Sequence, residues 1–237
     1  PLCVGVPQIF TITVNPTPSV ADPADQVVCN GATTTAVNFS GTGTAYNWTN
    51  TDASIGLAAS GTGNIGAFAA VNVGTTVVTA TVTVTPEYTF GAVTCLGAPQ
   101  SFTLTVNPTP TVVDPSDQVV CNGASTAAVN FSGAVGGTVF NWTNDNTSIG
   151  LAASGTGNIG VFAGINTGSA PVVATITVTP VFAGCAGAPQ TFSITVDLAA
   201  VITASQVKTI CSGDAVNYKV TLTPAGQPAG TTYSWAA

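Results

Sequence analysis

One sequence feature constrains the fold of this chain more than any other: the chain repeats itself. The segment SIGLAASGTGNIG at 54–66 returns letter for letter at 148–160, and GAPQSFTLTV at 97–106 returns as GAPQTFSITV at 187–196. Self-similarity at a long fixed period is the signature of tandem structural units. We therefore expect an array of similar small domains rather than one large domain.

The repeat also predicts the domain boundaries. Two full units of roughly 90 residues occupy 15–106 and 107–196. Residues 1–14 match the end of a unit and are predicted to be the C-terminal strand of a preceding repeat. Residues 197–237 match the beginning of a unit and are predicted to be the N-terminal part of a further repeat. The chain is thus expected to belong to a longer array.

Within each unit the hydrophobic pattern has period two. In VTATVTVTP at 78–86, apolar residues alternate with threonines, and SFTLTV at 101–106 alternates in the same way. Such alternation predicts half-buried antiparallel strands with a hydroxyl-bearing outer face. Gly, Pro and Asn recur about every ten residues, as in turns between about seven short strands. We predict an all-β fold, a tandem array of immunoglobulin-like β-sandwich repeats of about 90 residues.

Both copies of GTGNIG satisfy the G-x-G-x-x-G pattern of a dinucleotide-binding loop. Such a loop needs a following helix and an acidic residue about 20 positions on. The segment that follows is strand-like instead, and the nearest acid, Glu87, is replaced by Val181 in the second copy. We expect no cofactor, and we interpret Gly61, Gly63 and Gly66 as a turn between two central strands.

Charge and residue content exclude several classes of function. Only 5% of the residues are charged, against about 25% in an average soluble domain, and the two basic residues are Lys208 and Lys219. A chain without cations over 1–207 is not expected to bind nucleic acid. With no histidine and no recurring nucleophile or acid–base pair, it is not expected to be an enzyme. Polar residues interrupt every apolar run, so we predict no transmembrane segment.

An acidic pair near the start of each unit is a weak calcium candidate. The pair comprises Asp22 and Asp25 in the first unit and Asp114 and Asp117 in the second. Calcium takes six to eight oxygen ligands, which backbone carbonyls would have to complete. Because Asp-Pro also opens ordinary turns, we favour the turn and predict no metal site.

Each unit carries one tryptophan in what we predict to be its third strand. Trp48, Trp142 and Trp235 occur in YNWTN, FNWTN and YSWAA. An exposed tryptophan could stack on a sugar, but a single one in a sandwich more often fills the core. We therefore predict three core tryptophans.

The six cysteines point to disulfides in an oxidising compartment. Each unit has an early cysteine after its first strand and a late cysteine before its last strand, at opposite ends of the predicted sandwich, a separation that disfavours a bond within the unit. We prefer a link from Cys29 to Cys185 of the next unit. The open alternatives are Cys29–Cys95 with Cys121–Cys185, or pairs across each junction, namely Cys3–Cys29, Cys95–Cys121 and Cys185–Cys211.

The succession NPTPTV, VVCNG, AVNFSG, NWTN, SIGLAASGTGNIG, ATITVTP and PQTFSITV resembles the PKD-like, immunoglobulin-type tandem repeats of very large secreted surface proteins, adhesins among them, of Bacteroidota. The W-D-F-G-D-G signature of PKD domains is replaced here by NWTN. The resemblance implies an extracellular, cell-surface location and a stalk or adhesin.

The expected function is accordingly non-enzymatic: a semi-rigid stalk of tandem repeats in a cell-surface adhesin. Its partners would be the neighbouring repeats of the same chain and a surface ligand that the sequence does not identify. The alternative is a self-assembling subunit of an extracellular filament or sheath, whose partner is a copy of itself. A glycan-binding module is a third, weaker hypothesis.

Overall fold

The computed structural model describes residues 1–199, 201, 202, 209, 211–213, 222 and 223. The chain divides into two compact units, Pro1–Thr109 and Pro110–Ala237. Both are built from strands in the same order, with one short 3-10 helix each. The predicted fold class, all-β with tandem immunoglobulin-like sandwiches, is confirmed.

Each unit contains one main sheet of six strands. Those of the first unit are β1 Gln26–Cys29, β2 Ala45–Asn50, β3 Ser60–Thr62, β4 Val78–Phe90, β5 Val93–Leu96 and β6 Gln100–Asn107. Those of the second unit are β7 Gln118–Cys121, β8 Val139–Asn144, β9 Ser154–Thr156, β10 Val172–Phe182, β11 Cys185–Ala186 and β12 Gln190–Asp197.

The main sheet has the same topology in both units. Its strand order is β1-β6-β4-β2-β3 in the first unit, with β5 also paired to β4, and β7-β12-β10-β8-β9 in the second, with β11 paired to β10. All pairs are antiparallel except β1 with β6 and β7 with β12, which are parallel. The last strand of each unit therefore lies between the first strand and the long central strand.

Isolated bridges hold the second layer of each sandwich. In the first unit, Val37 and Ile65 exchange two backbone hydrogen bonds of 2.8 and 3.0 Å, and Thr33 bridges Ala69. The second unit has equivalent bridges. Apolar residues of both layers form one core per unit, because alternate residues of the main strands point inward. In the first unit this core includes Phe39, Ile65, Val82, Phe102 and Leu104.

Trp48 in β2 and Trp142 in β8 belong to these cores, each with 8% of its surface exposed. A Cβ atom on Gly61 or Gly155, the first glycine of each GTGNIG copy, would lie 2.6 Å from Cε2 of the facing indole. Trp48 Nε1 donates to the carbonyl of Gly63 at 3.2 Å, whereas Trp142 Nε1 has no partner in the described part of the chain.

The interpretation of GTGNIG as a turn between two central strands was wrong. The motif begins within β3, an edge strand, and leads across to the second layer at Ile65. The sequence does not predict β3, because Ser-Gly-Thr has no apolar alternation. A residue without a side chain stands at position 61 because the indole of Trp48 occupies the space beside it. Gly63 has a φ of +73°, which favours glycine, whereas Gly66 has neither a positive φ nor an atom within 4 Å of its Cβ position.

The two flanking segments differ from the full units. Residues 1–14 form no strand, and their apolar side chains are exposed; Leu2 is 97% and Ile9 94% exposed. A single strand needs a neighbour for its backbone hydrogen bonds, so their assignment to a preceding repeat stays a prediction. C-terminal to β12, β13 (Val201–Ile202) pairs with β14 (Leu222–Thr223). Trp235 lies outside the described residues.

Gly61→Ala is expected to destabilise the first unit by roughly 1–3 kcal/mol, because the added methyl group would overlap the buried indole of Trp48. Gly66→Ala, in the same motif but facing open space, is the matched control, with an expected change within about 0.5 kcal/mol. Urea unfolding followed by tryptophan fluorescence measures both variants. Equal midpoints for the two would contradict the packing described here.

Candidate functional site

The parallel pairing of β1 with β6 places the early cysteine where the chain leaves the unit, which is named here the trailing end. Cys29 is in register with Asn107, the last residue of β6, and the N–H of Asn30 donates to the carbonyl of Asn107 at 2.9 Å. In the second unit, Cys121 is in register with Asp197. Parallel strands end at the same edge, so the early cysteine of each unit lies at its trailing end.

Buried asparagines brace this end. Asn72, 4% exposed, donates through Nδ2 to the carbonyls of Thr76 and Val106, both at 2.8 Å. Its N–H donates to Oδ1 of Asn30 at 2.8 Å. The turn after Cys29 is thereby tied to the end of the last strand.

Asn166 repeats this arrangement in the second unit. It is 4% exposed and donates to the carbonyls of Ala170 at 3.0 Å and Val196 at 2.7 Å. Its N–H donates to Oδ1 of Asn122 at 2.9 Å. Sequence reasoning missed both asparagines; the signal was their recurrence in VNVG at 71–74 and INTG at 165–168.

The late cysteine lies at the opposite, leading end, where the chain enters the unit. Cys95 is paired with Tyr88 on the β4–β5 hairpin, and Cys185 is paired with Phe182 on the β10–β11 hairpin. The glycine two residues after each late cysteine, Gly97 or Gly187, lies against the linker that enters the unit. A Cβ on Gly97 would lie 2.8 Å from the carbonyl carbon of Pro18, and one on Gly187 would lie 2.9 Å from that of Pro110.

The length of the central strand separates the two cysteines within a unit. Val78 pairs with Val106 at the trailing end, and Tyr88 pairs with Cys95 at the leading end of the same strand. About ten residues of extended chain span about 30 Å, whereas a disulfide requires Cα atoms within about 7 Å. The alternative pairing Cys29–Cys95 is therefore excluded, and the equivalent register of the second unit excludes Cys121–Cys185.

The cysteines differ in bonding and in burial. Cys29 and Cys185 are disulfide-bonded, and Cys185 is 3% exposed. Cys3, Cys95 and Cys121 are free thiols; Cys95 is half-buried and Cys121 is exposed. The junction pairs Cys3–Cys29 and Cys95–Cys121 do not occur in the structure. Cys211 lies exposed outside the full units.

Asp25 and Asp117 fasten the first strand to the last. Oδ1 of Asp25 accepts the N–H of Thr103 at 2.6 Å, and Oδ1 of Asp117 accepts the N–H of Ser193 at 2.6 Å. These backbone hydrogen bonds, with a further contribution from the side chains of the same partners, hold the pKa of both carboxyl groups below its usual value.

The other members of the acidic pairs, Asp22 and Asp114, are exposed. Each pair lines an open groove of about 400 Å³ in the first unit and 420 Å³ in the second. No group of three or more His, Cys, Asp or Glu side chains that could hold a metal occurs among the described residues. In each pair one carboxylate, that of Asp25 or Asp117, already accepts a hydrogen bond from a backbone amide.

Several solved tandem-domain structures resemble this chain, including the following three. Mouse cadherin-23 EC22–24 is 13% identical over 78% of this chain and 67% of its own, with a TM-score of 0.40. The tandem Ig repeats of Dlar are 12% identical over 77% and 99%, with a TM-score of 0.27. The I9–I11 tandem of titin is 13% identical over 77% and 100%, with a TM-score of 0.27. Likeness at these identities concerns the fold alone.

No protein-family model matches the sequence. No curated protein is similar to it. In the part of the chain that the structure describes, no helix has the length and apolar character needed to cross a membrane.

Asp25→Asn is expected to destabilise the first unit at neutral pH and to flatten its acid dependence. Because the folded-state pKa of Asp25 is lowered, its stabilisation is complete above the unfolded pKa of about 3.9 and is lost as the pH falls through the folded pKa. Unfolding midpoints measured from neutral to strongly acidic pH test this. Asp22→Asn is the matched control; identical profiles for both variants would refute the role of Asp25.

Proposed function

We propose that this chain is a section of an extracellular stalk, built from PKD-like, immunoglobulin-type repeats, in a cell-surface adhesin of a Bacteroidota species. The observation that carries the proposal is the position of the chain ends within each sandwich. The linker enters the second unit beside Gly187 and leaves it after Asp197, at opposite ends of the main sheet. A domain with this layout suits a linear array, in which each unit adds its full length.

The chemistry of the surface supports a mechanical role. Four of the side chains considered for binding or metal ligation serve the fold instead: the indoles of Trp48 and Trp142 are buried, and Asp25 and Asp117 bind backbone amides. Buried indoles cannot stack on a sugar, so neither Trp48 nor Trp142 supports the glycan-binding hypothesis.

Cysteine chemistry supports covalent reinforcement of the stalk. In this proposal Cys29, at the trailing end of the first unit, is bonded to Cys185, at the leading end of the second. Both residues are disulfide-bonded, and their counterparts Cys121 and Cys95 carry free thiols. A disulfide across a junction would stiffen the array without adding bulk, and it fits the oxidising environment outside the cell.

One observation favours the alternative of a self-assembling filament. The outer faces of β4 and β6 carry hydroxyl pairs, with Thr79 and Thr105 Oγ1 3.1 Å apart and Thr83 Oγ1 2.9 Å from Ser101 Oγ. Few charges oppose the approach of two such faces. Lateral packing of these threonine faces would make the repeats themselves an assembly surface.

Electron microscopy of the native, non-reduced chain distinguishes the two functions. The stalk predicts isolated, beaded particles with a spacing of about 35–45 Å, the length of one sandwich with its linker. Ordered filaments with lateral contacts would contradict the stalk. If filaments form, Thr83→Lys should prevent their assembly, because it places a charge on the face that two chains would share. Thr33→Lys, on the second layer, is the control and should leave the filaments unchanged.

A further inference from the structure

We propose that Cys121 and Cys95 each form a disulfide with another repeat of this kind. Cys121, an early cysteine, bonds the late cysteine of that repeat, and Cys95, a late cysteine, bonds its early cysteine. Cys121 occupies in the second unit the position that Cys29 occupies in the first, and Cys95 occupies in the first unit the position of Cys185 in the second. The equivalent residues are disulfide-bonded. The inference rests on the proposed stalk and deepens it by naming the partner and the joining chemistry.

A single rule accounts for the bonding state of these four cysteines. If every early cysteine bonds the late cysteine of the following unit, Cys29 bonds Cys185, while Cys121 and Cys95 require units outside 15–196. The structure has the first two bonded and the last two free. Bonds within a unit, the main competing rule, fail on the strand length of about 30 Å.

The surroundings of Cys95 supply a second, independent observation. The bonded Cys185 is 3% exposed, whereas Cys95 is half-buried on a hairpin with exposed apolar side chains. Phe90 is 61%, Val93 59% and Leu96 62% exposed. Exposed apolar groups clustered around a free thiol mark a surface that another protein covers. The occupant consistent with the rule is the trailing end of another repeat, which carries the exposed Cys121.

The joining reaction is thiol–disulfide exchange with a small disulfide such as oxidised glutathione. The Cys121 thiolate attacks the glutathione disulfide, forms a mixed disulfide and releases one glutathione thiolate. The Cys95 thiolate of a second copy then attacks the Cys121 sulfur and releases the second glutathione. Two cysteine thiols are oxidised, one disulfide is reduced to two thiols, and the two cysteine protons end on the two glutathione molecules.

The test uses the full chain at high concentration in glutathione buffer, in a background of Cys3→Ser and Cys211→Ser that keeps Cys29 and Cys185. This background is expected to form a ladder of disulfide-linked oligomers. Further single variants, Cys95→Ser or Cys121→Ser, should each stay monomeric. An equimolar mixture of the two should give dimers only, because each supplies the half that the other lacks.

Mass spectrometry should map the new link to Cys121 of one copy and Cys95 of the other. Symmetric Cys121–Cys121 or Cys95–Cys95 dimers in the single variants would overturn the proposal. Monomers whose thiols stay reduced or carry glutathione would also overturn it. Either failure leaves the stalk intact if single chains still appear as beaded particles, so the two proposals fail separately.

A charge on the apolar hairpin tests whether recognition precedes the bond. Leu96→Asp should slow cross-linking roughly tenfold, the effect of losing one buried apolar side chain from the encounter. Val73→Asp is the matched control, because Val73 is 94% exposed and lies away from the hairpin. Equal cross-linking rates for the two variants would show that the hairpin is not the surface on which the end carrying Cys121 docks, and would overturn that part of the proposal.

Discussion

The parallel pairing of the first strand with the last is the constraint on which the architecture of each unit depends. Since β1 and β6 run in the same direction, the residue that ends β1 lies beside the residue that ends β6, and Cys29 meets Asn107. The carboxylate of Asp25 holds the start of this pairing through the N–H of Thr103, and Asn72 holds its end through the carbonyl of Val106. One short strand thus fixes the position of the Cys29 sulfur relative to the outgoing linker.

The long antiparallel central strand fixes the other end. Its hairpin carries the late cysteine to the side where the linker enters, beside Gly97 in the first unit and Gly187 in the second. Each repeat therefore presents one cysteine at each end of its long axis. In the proposed stalk, this polarity would let one bonding rule serve any number of units. The strands that build the core of each repeat also position its sulfur atoms at the two ends.

The fold class was predictable from the sequence, whereas features that depend on contacts between residues distant in sequence were not. The internal repeat and the period-two alternation in 78–86 predict tandem sandwiches, because both are local or self-referential patterns. The recurrence of Asn72 and Asn166 marks them in the sequence, but their burial did not follow from it, since an asparagine two residues before a glycine is typical of an exposed turn. The role of Asp25 depends on Thr103, distant in sequence and brought close only by the parallel pairing. Strand β3 was missed because packing against Trp48, rather than alternation, selects its residues.

Peptide mapping of the non-reduced protein tests the central claim most directly. Free thiols are first blocked by alkylation, the chain is then digested without reductant, and the linked peptides are identified by mass spectrometry. For the isolated, monomeric chain we predict a peptide pair joining Cys29 to Cys185, with alkylated Cys95 and Cys121. A link from Cys29 to Cys95, or from Cys121 to Cys185, would contradict it, because the two ends of one sandwich would then have to meet.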